Sequence, residues 1–526
     1  MTTTQYHKVV WADDRLPEQK PDIRLTGSGI AVDLLGAILA RGGLRVRISP
    51  PAGPVAAEPV GVNTVPYTAE LLYLLADRFR VPEIADLAMF GRLPEWLKRT
   101  SGIKQSLGFV YHRARTAHDR QQNVQFSVPG EHAEWHAYLP EVGGHTRLVA
   151  EQYGVRYAPA AEVEDAGDEG GLGLACAGNP AGVPAGREIG GVAYFDGVSA
   201  FEQLRPPRDG GYTEPWSEGS VTHGFRGGWV HLAAFGNHPA ARNHGCAVSL
   251  RLEAGHPDAG ADLDEVLAKL ARRYPDIGLQ LDGGQRIGQW AHTDADAQRT
   301  GEPVLALDLS RGEALFGQDF TLALELVHAA GAILLEPGAL ASAESADAAV
   351  QAIGRFQRSL LETHDRVTAA ALVATRSFAS WDAFLRTWLL WSISSALALK
   401  KVRVDAVRSG NWQPASKFDR GVGWFDLAPG IWDIVSRSMR TIETIQNAGV
   451  QPTVAAGRVF SLLSRRRVIP PLYKFGRPEA RRYQLNLATR LKLLAWTFTV
   501  APKAYRGMLT ADNITAIPNE EAERVQ

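Results

Sequence analysis

From Asp22 onward the hydrophobic pattern switches between the period of a strand and that of a helix. Ile23 to Leu25 is a short strand, and from Ala31 to Arg41 the apolar residues Leu34, Leu35, Ile38 and Leu39 share one helical side. "LRVRISPP" then alternates at period two and stops at Pro50 and Pro51, so strand, helix and strand form a βαβ unit. A helical pattern returns from Thr68 to Leu87, followed by strand patterns in "IKQSLGFVYHRA" and "QNVQFSVPG" across a polar turn. Residues 165–190 are rich in glycine and alanine, with "LGLACAG" and "EIGGVAYFDG" reading as short strands of one meander. "SVTHGFRGGWVHLAAFGNH" and "CAVSLRLEA" make a second β-rich segment, and a returning strand is expected near residues 304–309. Beyond about residue 320 the pattern is almost entirely helical, and no internal repeat is seen.

This order predicts an α/β fold: a Rossmann-like βαβ dinucleotide module, an antiparallel substrate sheet and a helical C-terminal region. Residues 20–345 are read as the core, with the substrate sheet at 100–140 and 215–300, and residues 346–526 as a helical part covering the substrate pocket. The most apolar run, "TWLLWSISSALAL" from Thr387 to Leu399, is shorter than the about 20 residues a membrane-spanning helix needs. It is read as a buried helix or part of an apolar lid.

Composition changes this picture little. The chain has 526 residues, 45% hydrophobic, with 56 basic and 57 acidic side chains that nearly cancel, so neither nucleic acid nor an anionic membrane is expected as a partner. Cys176 and Cys246 are too few for a disulfide framework and are read as buried small hydrophobes. The N-terminal stretch lacks a basic segment leading into an apolar run, so a cytoplasmic protein is expected. His112, His223, His238 and His244 do not fall at metal-ligand spacings, and no metal site is expected.

The strand-turn-helix "DIRLTGSGIAVDLLGAILARGG" carries Gly27 and Gly29 of a G-x-G-x-x-G turn, with Val32 in place of the third glycine and Asp33 after it. It stands in a set with "TVPYTAELLYLLADRFRVPEIADL", "SGIKQSLGFVYHR", "GGWVHLAAFGNHPAARNHGCAVSL", "LFGQDFTLALELVHA" and "LYKFGRPEARRYQ". In this order, over almost the whole chain, these resemble the flavin-dependent halogenases of bacterial natural-product pathways, in the branch acting on phenolic, pyrrole or carrier-tethered substrates. The resemblance implies the two-layer fold of halogenases and aromatic hydroxylases.

The flavin-side positions depart from that family. Val32 adds bulk where close helix-strand packing is wanted, and Asp33 would repel a pyrophosphate, although it also suits the helix dipole. The second strand ends Arg47, Ile48, Ser49, without the carboxylate that holds a ribose. The family's Gly-Glu-Ser is Gly61, Val62, Asn63; Leu307, Asp308, Glu313 and Ala314 replace its later flavin loop, and an arginine is missing from "YLPEVGGHT". Asp196 and Gly197 are the main match left, beside Gly27 and Gly29.

At the chemical end, the resemblance places Lys104 where the family's lysine handles hypohalous acid. In an apolar pocket its pKa would fall, making it a proton donor, base or clamp. The W-x-W-x-I-P signature is altered to Trp229, Val230, His231, Leu232, Ala233, Ala234, so His231 points wherever Trp229 does and is an acid–base candidate. Tyr111, Trp229, Phe235, Trp381 and Trp388 are read as substrate-facing aromatics, against core packing for the two helical tryptophans.

The set of flavin-side changes leads to the expectation of a tailoring enzyme with no cofactor, one that catalyses cyclisation or rearrangement of a polyketide or aromatic intermediate, free or carrier-tethered. Two alternatives stand beside it: a reduced-FAD-dependent halogenase with an atypical cofactor site, and a non-catalytic pathway partner.

Overall fold

The computed structural model describes residues 22–50, 60–127, 134–158, 172–176, 188–204, 215–292 except 261, then 305, 307, 309 and 315, and 318–501 except 419–429, 466, 472–473 and 484–486. The first elements are β1 (Ile23–Thr26), α1 (Ile30–Arg41), β2 (Val46–Ser49), β3 (Gly61–Asn63) and α2 (Pro66–Phe79). Helix α2 ends at Arg80, whose φ of +57° is left-handed, and Pro82 then opens a short 3-10 turn, so the helical pattern from Thr68 to Leu87 is two elements. Next come α3 (Glu95–Lys98), β4 (Gly102–Lys104), β5 (Ser106–His112), β6 (Asn123–Ser127), β7 (Glu134–Tyr138), α4 (Leu139–Gln152), β8 (Arg156–Tyr157), β9 (Leu172–Ala175) and β10 (Glu188–Asp196). These are followed by α5 (Phe201–Leu204), β11 (Ser220–Phe225), β12 (Gly228–Ala234), β13 (Cys246–Glu253), α6 (Leu263–Arg273), α7 (Pro275–Leu281), β14 (Gln285–Arg286) and β15 (Ala291–His292). The C-terminal part holds α8 (Gln318–Leu334), α9 (Ala343–Ala374), α10 (Phe378–Ser409), α11 (Ile431–Asn447), α12 (Pro452–Leu463), β16 (Arg482–Tyr483) and α13 (Leu487–Thr499).

Three sheets form among the described residues. β8-β2-β1-β9 is wholly parallel, with α1 as the crossover between β1 and β2 and packed on α4 and α8. β3-β7-β4 is a small antiparallel sheet. The large sheet runs β14-β10-β13-β12-β11-β5-β6-β16, with β15 also on β10.

Two expectations are corrected. The large sheet is mixed, because β11 lies parallel to β5 and β16 parallel to β6. A parallel neighbour needs a long crossover, and the chain makes one through the small sheet and β9 before returning beside β5. The two strands read as one meander also part company: β9 extends the parallel sheet, while β10 joins the large one. Of the strand expected at 304–309, only Leu305, Leu307 and Leu309 are described; all three are buried, and the Leu305 amide donates to the Ala175 carbonyl at 2.7 Å.

Alternation along β12 decides what each face does. Val230 and Leu232 pack with Leu263, Val266 and Leu270 of α6 on the outer face. Trp229, His231 and Ala233 point inward, toward the small sheet and α10. Helices α9 and α10 start at Ser342 and Ser377, whose hydroxyls accept the amides of Ser345 and Ser380. Thr387–Leu399 lies inside α10 and is largely buried, and α10 packs along α2. Among the described residues no helix is long and apolar enough to cross a membrane. Cys176 and Cys246 are both buried and unbridged, and burial pushes the Cys246 thiol up to about 12.

Candidate active site

The strand-turn-helix is built as its glycines require. Gly29 sits at φ +104°, a region left to glycine, and a Cβ on Gly27 would lie 2.8 Å from Cys176 Cβ. Gly29 makes no side-chain cap to α1, and an uncapped helix N-terminus of this kind suits an anion such as a pyrophosphate. The bulk of Val32 is fully buried in the main core. Asp33 is buried too: one carboxylate oxygen accepts the Tyr157 hydroxyl at 2.7 Å, the other that of Thr146 at 3.0 Å. The Asp33 carboxylate is thus held within the protein by β8 and α4. The Ser49 carbonyl at the end of β2 accepts the Gly27 amide at 2.8 Å. These residues fit a flavin nucleotide, which Gly27, Gly29 and the amides opening α1 would hold.

Asp196 and Gly197 lie elsewhere, at the end of β10, where Asp196 pairs with Gln285 and Gly197 turns the chain at φ +75°. They stand on the large sheet, whereas Gly27 and Gly29 belong to the parallel one. Asp308, Glu313 and Ala314 lie outside the described residues.

A polar face forms where the small sheet meets β12. Asn63 and Gly102 are both cross-strand partners of His136, and Lys104 is the partner of Glu134, so Asn63, His136, Lys104 and Glu134 share one face. Lys104 is fully buried; its Nζ donates to Glu134 Oε2 at 2.6 Å and to the Thr64 carbonyl. An ammonium has three donors, and these two acceptors leave one N–H for a ligand. Burial lowers the Lys104 pKa against the attraction of Glu134, and burial raises that of Glu134 against Lys104.

His136 Nδ1 donates to the Ala234 carbonyl at 3.0 Å, leaving Nε2 as an acceptor, and burial takes its pKa down to about 3. His231 accepts from Asn63 Nδ2 at Nε2 and reaches Thr222 Oγ1 from Nδ1, both at 2.8 Å. Burial, with His136 and Lys104 nearby, holds His231 well below the ordinary histidine range. It is a neutral bridge between the small sheet and the large one. Among the described residues Asn63 Oδ1, Glu134 Oε1 and His136 Nε2 are buried without a partner. Glu134 and His136 were missed in the sequence. Their signal is the alternation in "EWHAY", two ionisable residues on one face of a buried strand.

The aromatics divide. Trp229 stacks on Trp381 with centroids 5.8 Å apart, Trp381 lies parallel to Phe384, and Phe109 meets Trp381 edge-on. Trp381 Nε1 is buried without a partner among the described residues, against Gly224. Tyr111 points the same way and donates to the Thr375 carbonyl at 2.7 Å, joining the large sheet to the turn before α10. Trp388 lies two turns farther along α10, about 10 Å away by helical rise, within the core. Phe235 is at the opposite end of β12, with Tyr138 and Tyr194, and fills the space a side chain on Gly61 would need. The structure thus gathers Lys104, His231, Trp229, Trp381 and Tyr111 along one seam, apart from Phe235. Among the described residues no group of three or more His, Cys, Asp or Glu is placed to hold a metal ion.

No family model matches the chain. It is 24% identical to monodechloroaminopyrrolnitrin halogenase PrnC of Pseudomonas fluorescens, over 91% of this chain and 92% of that protein. It is 27% identical to the tetracycline 7-halogenase of Kitasatospora aureofaciens, over 78% and 79% respectively. The chain is a distant relative of the flavin-dependent halogenases. Its fold is that of halogenase PltM in complex with phloroglucinol and FAD, with a TM-score of 0.74 and 19% identity over 88% of this chain and 100% of that one.

Two expectations fall with this kinship. The cofactor-free cyclase is overturned, because relatives matched over most of their length are halogenases and the solved fold neighbour holds FAD. Val32 is buried in the core, Asp33 is held by Thr146 and Tyr157, and Gly27 and Gly29 keep the backbone turn itself.

Proposed function

We propose that this enzyme is a reduced-FAD-dependent halogenase acting on an electron-rich small aromatic. The observation that carries the reading is Lys104: a fully buried ammonium with one unassigned donor, at the seam between the small sheet and the substrate sheet.

The flavin, with oxygen and halide, would supply the oxidised halogen as hypohalous acid. Lys104 Nζ would hold the oxygen of that acid through its remaining N–H. The ring attacks the halogen, the halogen–oxygen bond breaks, and the oxygen leaves as water with a proton from Nζ. The ring then loses its own proton, which restores the Lys104 ammonium, so that arene and hypohalous acid become haloarene and water. His231, neutral and hydrogen-bonded at both nitrogens, holds the two sheets in register beside Lys104 rather than exchanging protons. The stack of Trp229 and Trp381 forms the apolar wall against which an aromatic ring would lie, with water excluded.

The test is aerobic incubation with FAD kept reduced by a flavin reductase, chloride or bromide, and phenols including phloroglucinol. The expected result is a product with the halogen isotope pattern, absent in Lys104→Met. No halogenated product from any phenol, with no saturable FAD binding, would overturn the reading.

A further inference from the structure

Lys104 and Glu134 are cross-strand partners, joined at 2.6 Å with side-chain exposures of 0% and 4%. A buried ion pair stabilises a fold little compared with an apolar pair of the same volume, so packing alone does not account for it. The carboxylate moreover uses one oxygen only: Oε1 is buried with no partner among the described residues, on the face that also holds His136 Nε2 and Asn63 Oδ1. An unpaired acceptor of this kind is rare in a packed interior and marks a place for a ligand atom or water.

We propose that Glu134 is the positioning residue of Lys104 in halogen transfer, fixing the ammonium against the Thr64 carbonyl and returning its proton after each turnover. This rests on the role given to Lys104 above. The groups facing Lys104 are the Thr64 carbonyl, Glu134 and His136 of β7, and His231 of β12. Both histidines are held neutral by burial, so among them Glu134 alone offers charge. The step balances. The carbon–halogen bond forms as the halogen–oxygen bond breaks, water leaves with the proton of Nζ, and the ring C–H bond breaks. That proton re-enters the pair at Glu134, which hands it to Nζ and leaves ammonium and carboxylate as they began.

The test compares the wild type with Glu134→Gln, Glu134→Asp and Lys104→Met in the phloroglucinol assay. In parallel, competitive acetylation across pH, read by peptide mass spectrometry, gives the titration midpoint of Lys104 without any turnover. Glu134→Gln is expected to lose about 100-fold in kcat with KM changed less than about threefold. Its Lys104 midpoint moves to lower pH, because burial is then unopposed. Glu134→Asp, which keeps the charge, recovers part of the rate and of the midpoint, and serves in place of Glu134→Gln should that variant not fold. A carboxylate that only supports the fold would leave kcat, the pH–rate profile and the midpoint of the folded variant unchanged, and that result overturns the proposal. Halogenation lost in Lys104→Met but intact in Glu134→Gln refutes the role of Glu134 alone. A wild type that halogenates nothing, with the Lys104 midpoint still falling in Glu134→Gln, refutes the halogenase reading while the pairing stands.

Discussion

Asp33 and Tyr157 share a 2.7 Å hydrogen bond across 124 residues of chain. With Thr146 on its other oxygen, the Asp33 carboxylate braces α1 against β8 and α4. Asp33→Ala is therefore expected to lower stability by about 1–3 kcal/mol, by taking the acceptor from the Tyr157 hydroxyl and leaving that of Thr146 only the Gly143 carbonyl, while the FAD dissociation constant changes less than about threefold. Denaturant unfolding and flavin titration check the two halves separately. A large loss of FAD affinity at unchanged stability would contradict this placement of Asp33.

Gly29 should behave in the opposite way. At φ +104° any side chain is strained, by roughly 1–3 kcal/mol, and the strain falls on the first-turn amides. Gly29→Ala is expected to weaken FAD binding by about tenfold or more at that magnitude, measured by quenching of flavin fluorescence.

The role of His231 can be separated from acid–base chemistry. Gln at this position can still bridge Asn63 and Thr222, whereas Phe takes the side-chain partner from Thr222 and leaves Asn63 only the long bond to the Leu315 carbonyl at 3.5 Å. His231→Gln is expected to keep activity within about tenfold of wild type, and His231→Phe to lose stability by about 1–3 kcal/mol. A thousandfold loss in a folded His231→Gln protein would make His231 a proton carrier after all.

Glu325 gives a pH prediction. Burial on α8 pushes its pKa up from 4.5 to about 8, against a hydrogen bond from Tyr67 that lowers it. Because the folded value is the higher, this group's contribution is whole below pH 4.5 and declines as pH rises toward 8, where the unfolded chain binds fewer protons. The slope is roughly 1.4 kcal/mol per pH unit at most. Glu325→Gln should remove it, so that the variant gains on the wild type progressively between pH 5 and 8 in urea titrations. Parallel curves across that range would show that Glu325 is not held neutral.

Arg386, fully buried on α10, holds Asp382 at 2.7 and 3.0 Å and the carbonyls of Arg477 and Ala480 at 2.8 and 2.6 Å. It ties the segment before β16 to the helix that carries Trp381. Arg386→Met leaves Asp382 with Arg481 alone and is expected to cost about 3–5 kcal/mol, with cleavage within residues 474–483 in limited proteolysis. A protease pattern identical to wild type would contradict the clamp.

The periodicity of the sequence determined much on its own. It located the βαβ unit, the glycine turn, the helical second half and the strands carrying Lys104 and Trp229, because each is set by residues adjacent in the chain. The quoted motifs also led to the halogenase family. What local pattern could not decide was which strands meet. Alternation suits a strand to any sheet, so the parting of β9 from β10 and the parallel pairing of β5 with β11 were not legible. Nor were the partners of side chains near the glycine turn: Asp33 meets Thr146 and Tyr157, which lie far along the chain. The pairing of Lys104 with Glu134 belongs to the same class, since it follows from the register between β4 and β7, which no stretch of sequence contains. Charge is a property of a residue, but what it acts on is decided by the partners that tertiary packing places within a few ångströms.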